Sequence, residues 1–360
     1  MYLDHAATTP LSPGARSALA EALDVSGNPS SVHRAGRAAR DAIDGVRNAL
    51  ARRLCVGAGQ VVFTSGGTEA NAIALTQRAA AHRFCSTIEH EAVLDWVPEH
   101  NQLAVLPCGT LDLDAAEKVL EARQPGLVSV MLVNNVIGTI QPVAALAQLA
   151  KRCGHIVHCD AVQAFGKIDI DFSALNVDLL TLSAHKIGGP KGVGALITRD
   201  SLALQSYTKG GGQERRRRAG TENTLGIIGF GGALIDLTDR LGAYEPIKAL
   251  AGEVTRRVGS ERVIALEGER VPHILSLHMP GMQSQLQLMK FDLAGICVSA
   301  GSACSSGKVA ESHVVKALGL DNGVAGETVR VSFGPETQAT DVEAFLDIWE
   351  ANRARGRSAA

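Results

Sequence analysis

The sequence predicts an α/β protein, a large domain on a mostly parallel mixed sheet joined to a smaller α+β domain. Three observations predict it. Short apolar runs of strand length alternate with helix-length segments. Polar clusters follow the apolar runs directly, where open α/β sheets bind ligands. Near the end the pattern changes, with strand-like alternation at Arg330-Val-Ser-Phe333 and an amphipathic helix over 340–351. A chain of 360 residues also exceeds what a single simple core ordinarily serves. The division expected is 15–250 for the large domain and 1–14 with 251–360 for the small one.

Composition narrows the class. The chain is 46% hydrophobic and 20% charged, enough apolar content for packed cores. A net charge of −2 supplies no general pull toward nucleic acid or anionic membrane. No apolar run is long enough to span a bilayer, and Met1-Tyr-Leu-Asp-His5 lacks the features of a signal peptide. Seven scattered cysteines without CxxC pairs read as reduced thiols of a cytoplasmic protein. Cys297, beside Val298 in an apolar run, reads as a buried small hydrophobe.

The elements follow in order. Val61-Val-Phe63 reads as a buried strand, and Thr64-Ser-Gly-Gly-Thr68 turns into a helix from Glu69. Free N–H groups at such a helix start suit a phosphate; the alternative is a plain turn with a Ser or Thr cap. Leu127 to Val133 reads as the next strand, ending at Asn134-Asn135, with a helix over 143–153. Ile156 to Cys159 is a strand whose end carries Asp160, with Gln163 three residues on. A carboxylate there needs a cationic partner, and a protonated pyridine nitrogen would serve. Cys153, His155, His158 and Cys159 lack zinc-type spacing, and His155 and His158 point to opposite faces of a strand, so no metal site is expected.

Leu179 to Leu182 is a further strand, followed by Ser183-Ala-His185-Lys186-Ile-Gly188-Gly189. A lysine at the mouth of a sheet, partly desolvated, has the lowered pKa that Schiff-base chemistry requires; the alternative is a solvated loop lysine. Cys304 sits among small residues, Ser299-Ala-Gly-Ser-Ala-Cys-Ser-Ser-Gly307, which read as a mobile loop presenting either a reactive thiol or an incidental one. Arg215 to Arg218 read as a solvated turn, since no basic face or interleaved aromatics support nucleic-acid binding.

Taken together and in order, these segments resemble the cysteine desulfurases of the fold-type I pyridoxal-phosphate superfamily. The resemblance rests on YLDHAATTP (2–10), GNPSSVH (27–33), SGGTEAN (65–71), IEHEAVLD (88–95), NNVIG (134–138), CDAVQAFGK (159–167), SAHKIGGPKG (183–192), GGGQE with RAGTEN (210–223) and SAGSACSSG (299–307). It implies that Lys186 bonds the cofactor, that Asp160 pairs with its pyridine nitrogen and that Gln163 bonds the ring oxygen. His90 is implied to stack on the ring and carry protons. Gly67, Thr68, Ser183 and His185 are implied to hold the phosphate, with Thr221 arriving from a partner subunit. Asn135 and Arg330 are implied to orient the substrate carboxylate, with Asn28 and His33 also at the substrate site.

The implied reaction converts L-cysteine to L-alanine and leaves a persulfide on Cys304. The sulfur is then delivered to an iron–sulfur scaffold or another acceptor. The GSACSSG stretch resembles the NifS/IscS-like branch with the longer cysteine loop. Val136 departs from a pattern that often has an acidic residue there, and the short C-terminus lacks the tail some members use for docking. A selenocysteine lyase, a small-substrate aminotransferase or a non-catalytic scaffold on the same fold are the alternative expectations.

Overall fold

The computed structural model describes the backbone of residues 1–300 and 311–357. Among the described residues, ten strands fall into two sheets: β1 (Val61–Thr64), β2 (Arg83–Ser86), β3 (Gln102–Leu103), β4 (Leu127–Met131), β5 (Ile156–Asp160), β6 (Leu179–Ser183), β7 (Gly194–Thr198), β8 (Ile274–His278), β9 (Ser299–Ala300) and β10 (Thr328–Ser332). The first sheet has seven strands in the order β1-β7-β6-β5-β4-β2-β3. β7 runs antiparallel to both its neighbours and the remaining pairs are parallel. β4 and β6 are buried at every residue, as parallel strands covered on both faces must be. The second sheet is antiparallel, in the order β8-β10-β9.

The expected strands appear with shifted ends. β5 and β6 extend through Asp160 and Ser183, so these polar groups are terminal strand residues. β4 ends at Met131, and Val133 instead pairs across an isolated bridge with Ile140. The helix Val143–Arg152 closes where Gly154 takes a φ of 79°, a left-handed conformation that glycine adopts without strain. Cys297 is exposed and corrects the expectation of burial. Only Ser299–Ala300 of that segment form a strand, and the backbone of Cys297 is tied to Met1 and Leu3, so alternation turns Ile296 inward and the thiol outward.

Each sheet has its own apolar core. Phe63, Phe84, Val130, Leu146, Leu180 and Phe230 belong to the larger one, whereas Leu3, Leu277, Phe291, Val331, Phe345 and Trp349 belong to the smaller. The helix Thr224–Val258 contributes to both, with Ile227 to Leu237 in the first and Ile247 to Val258 in the second. A boundary at 250/251 therefore falls inside one continuous helix. The N-terminal segment joins the sheets: Leu3 exchanges backbone hydrogen bonds with Cys297 and Ser332, while Thr9 N donates to the His185 carbonyl.

Candidate functional site

The parallel register sets Met131 beside Asp160 and Asp160 beside Thr181, so β4 and β5 end level with one another and β6 runs two residues further, to Ser183. Their ends open on a cavity of about 370 Å³. Of the residues expected at the site, Gly67, Thr68, His90, Asn135, Asp160, Gln163, Ser183, His185, Lys186 and Arg330 all line it.

Asp160 is 7% exposed and its oxygens accept from Asn71 Nδ2 at 2.8 Å and Val162 N at 2.9 Å. A carboxylate this buried, with only neutral donors fixed on it, is arranged for a cation arriving in the cavity. On the neighbouring strand end, half-buried Lys186 extends to the N-terminal segment, where Nζ donates to the carbonyls of Ala6 at 2.6 Å and Ala7 at 2.8 Å. Burial, followed by the nearby Arg330 charge, pushes its amine down to about 8, although Asp4 and Asp160 pull the other way. In the cofactor-free protein, labelling of Lys186 by an amine-directed reagent should therefore rise with pH around a midpoint near 8, instead of near the ordinary 10.5. Peptide mapping across a pH series checks this; a midpoint above 10 would contradict it.

The helix Gly67–Leu75 starts at the cavity edge with no side chain capping it, so neither Ser65 nor Thr68 serves as the cap that the plain-turn alternative requires. Gly66 precedes it with φ 156°, and a Cβ on Gly67 would come within 3.0 Å of Val162, so glycine lets the helix start lie against the strand ends. Uncapped first-turn N–H groups are a place for an anion. Beside them, His185 accepts or donates at Thr8 Oγ1 (3.1 Å), and burial, then the charges of Lys186, Lys167 and Lys191, lower its imidazole to about 4. His185 is thus neutral at neutral pH and meets an anion as a hydrogen-bonding group.

Opposite, His90 caps the helix Glu91–Leu94 by accepting from Ala92 N at 3.0 Å through Nδ1. A neutral His90 then carries its proton on Nε2. Arg330 comes from the second sheet and is 5% exposed. Nη2 pairs with Asp4 at 2.8 Å and Nη1 donates to the Asn135 carbonyl at 2.9 Å, while Nε is buried with no hydrogen-bond partner among the described residues. Arg330 is therefore fixed at the cavity wall with donor capacity left over.

Three expected residues lie elsewhere. Asn28 and His33 are exposed, with Asn28 Oδ1 accepting from Ser30 N and His33 capping the helix Arg34–Arg53. Thr221 is exposed and does not line the cavity. Cys304 lies outside the described residues, but Ser299 and Ala300, which precede it in the chain, line the cavity. Sequence reasoning gave no role to Asn71, to Asp4 or to the Ala6 and Ala7 carbonyls, although all fall inside motifs it singled out. A side chain can be read from sequence as chemically able; a backbone carbonyl cannot.

The arginine turn is only partly solvated. Arg215 and Arg216 are exposed, but Arg218 is half-buried and pairs with Glu69 at 2.9 Å. Burial alone would raise the Glu69 carboxyl, and the hydrogen bonds from Arg218 and Ser65 outweigh it and hold the pKa low. His155 bonds Gly126 N and lies 3.2 Å from the Leu120 carbonyl, whereas His158 bonds Ser129 and Thr181 on the opposite face. Among the described residues no helix is long and apolar enough to cross a membrane.

As a set, the cavity offers an uncapped helix start, a buried carboxylate and an amine with a lowered pKa. That fits a ligand with an anionic group, a protonated ring nitrogen and an electrophilic carbon. Comparison with known proteins agrees. The family model for class-V aminotransferases matches residues 1–345. The protein named cysteine desulfurase IscS from Dictyoglomus turgidum is 37% identical over 371 residues, covering 97% of this chain and 93% of that one. The solved structure of a NifS-like protein from Rickettsia africae superposes with a TM-score of 0.89 at 32% identity, covering 98% of each chain. A structure described as SspA in complex with cysteine matches with a TM-score of 0.78 at 29% identity, covering 94% of this chain and 99% of that one.

Proposed function

Because the chain belongs to the class-V aminotransferase family, we propose that it is a pyridoxal-phosphate-dependent cysteine desulfurase that moves the sulfur of L-cysteine to Cys304. The observation that carries the reading is the convergence of Lys186, Asp160 and Arg330, from three different strands or strand ends, on one cavity. The relatives' printed names and the cysteine bound to SspA support the choice of substrate.

Bound in this cavity, pyridoxal phosphate supplies an electron-withdrawing ring that makes the bonds at the substrate's α-carbon labile. Everything else falls to the chain. Lys186 holds the cofactor through its amine. Asp160 keeps the ring nitrogen protonated, and Gln163 donates to the ring oxygen. The helix start at Gly67 and Thr68, with Ser183 and His185, holds the phosphate. Arg330 and Asn135 orient the substrate carboxylate, for which a guanidinium offers a two-point fork. His90 would stack on the ring and carry protons through Nε2, the ring nitrogen that the Ala92 contact at Nδ1 leaves free.

The net transfer balances without an external oxidant. The Cys304 sulfur bonds to the substrate sulfur, the substrate's carbon–sulfur bond breaks, and a proton completes the alanine methyl group. A persulfide remains on Cys304. Cys304 follows Ala300 on the cavity wall by four positions, a reach of at most roughly 14 Å when extended.

Thr221, Asn28 and His33 then belong to the cavity of a second copy in a homodimer, which sedimentation would test: a fully cofactor-loaded monomer counts against it. The acceptor is an iron–sulfur scaffold or another sulfur-accepting protein of the cytoplasm. The experiment that decides the activity is incubation of the purified protein with pyridoxal phosphate, L-cysteine and a thiol reductant. Alanine and sulfide are expected in equal amounts. Pyruvate, or alanine formed only when a keto acid is added, would replace this reading with an aminotransferase or lyase; no product would sink it.

A further inference from the structure

Lys167 closes the CDAVQAFGK segment yet does not line the cavity. It is 6% exposed, and none of its described ion pairs or hydrogen bonds involves a carboxylate. Its amine instead donates to Gln163 Oε1 at 2.9 Å, and the same amide donates from Nε2 to the Ala6 carbonyl at 2.7 Å. A buried amine without a counter-charge is costly, and such groups concentrate at functional sites.

We propose that Lys167 is a positioning residue that locks the Gln163 amide, so that the remaining Nε2 hydrogen faces the cavity and donates to the ring oxygen of the cofactor. The inference rests on the pyridoxal-phosphate reading above. The logic is one of donors and acceptors. Ala6 offers only a carbonyl, so Nε2 must face it, and Oε1 then needs a donor on its other side. Lys167 supplies that donor. Nε2 has two hydrogens, and the Ala6 carbonyl takes one. The second is left for whatever occupies the cavity that Gln163 lines.

Burial, then the charges of Lys186 and Arg330, push the Lys167 amine down to about 7. Both the charged and the neutral amine retain N–H donors, so the lock holds on either side of that pH. An isolated cation repelled by Lys186 and Arg330 would serve poorly as a charge partner here, and well as a donor.

The test uses the cofactor-loaded protein and reads the pH midpoint of its visible absorbance without substrate. Losing a hydrogen bond to an anionic ring oxygen makes the bound chromophore more basic. Lys167→Met is expected to raise the midpoint by about one pH unit, equivalent to about 1.4 kcal/mol. Gln163→Leu should raise it similarly, and the double variant no further than either alone, because both remove the same contact. Lys167→Arg, which keeps a donor, should restore the midpoint toward that of the parent protein. A shift in Gln163→Leu with none in Lys167→Met overturns the proposal, as does full additivity. If Lys167→Met does not fold, Lys167→Arg alone decides: a midpoint displaced as far as in Gln163→Leu counts against the lock. A parent protein that develops no visible band with pyridoxal phosphate defeats the cofactor reading itself, a separate outcome.

Discussion

An Asp160→Asn variant is expected to form alanine from L-cysteine between roughly a hundred-fold and several-thousand-fold more slowly, because removing one partner of a buried charge pair costs about 3–5 kcal/mol and each 1.36 kcal/mol is tenfold in rate. The substitution isolates the charge. Asp160 accepts from Asn71 Nδ2 and Val162 N, and an asparagine can accept only one of these through its single oxygen. Asn71 Oδ1 is buried with no hydrogen-bond partner among the described residues, so rotation of the Asn71 amide presents that oxygen to the new Nδ2. The variant should therefore melt close to the parent protein while losing turnover. Steady-state alanine formation at saturating pyridoxal phosphate, beside a thermal melt, checks both halves. Activity within tenfold of the parent would remove Asp160 from its assigned place at the ring nitrogen.

The second large effect is expected at Cys304. Cys304→Ala should bind pyridoxal phosphate with an unchanged visible spectrum yet lower alanine formation by roughly a thousand-fold or more, the scale on which a covalent route's nucleophile matters. The separation is expected because the lysine, carboxylate and helix start that hold the cofactor all belong to the large sheet and Cys304 is none of them. Cys297 provides the control. It is an exposed thiol seven residues before Cys304 in the chain, and Cys297→Ala should retain activity and persulfide formation. Trapping the persulfide with an alkylating reagent and locating it by peptide mapping reads the outcome directly. Sulfide and alanine released at near-parental rates by Cys304→Ala would rule out thiol transfer at that position.

Much of the site could be read along the chain because open α/β sheets place function at strand ends. Asp160 and Ser183 each terminate a run of apolar residues, and Lys186 follows three residues after one. The Gly67 helix start was legible for the same reason. Its cap was not: whether Ser65 or Thr68 would bond the first turn depends on backbone angles at Gly66 that no residue pattern specifies. Cys297 misled because its apolar neighbours suggest a core strand, while among the described residues the ladder begins only at Ser299, beyond Cys297.

The order of apolar and polar residues was sufficient to specify which segments become strands and helices, and which polar side chains sit at their ends, since these depend on neighbours a few positions apart. It could not specify the wall built from far-separated pieces. Arg330 meets Asp4 across 326 residues, and Lys186 reaches the Ala6 carbonyl across 180. Those contacts exist because the N-terminal segment runs from the small sheet to the large one, bridging Cys297 and Ser332 at one end and His185 at the other. Backbone carbonyls accept hydrogen bonds whatever residue carries them, so only packing in three dimensions selects which carbonyl, and which amide hydrogen, faces the cavity.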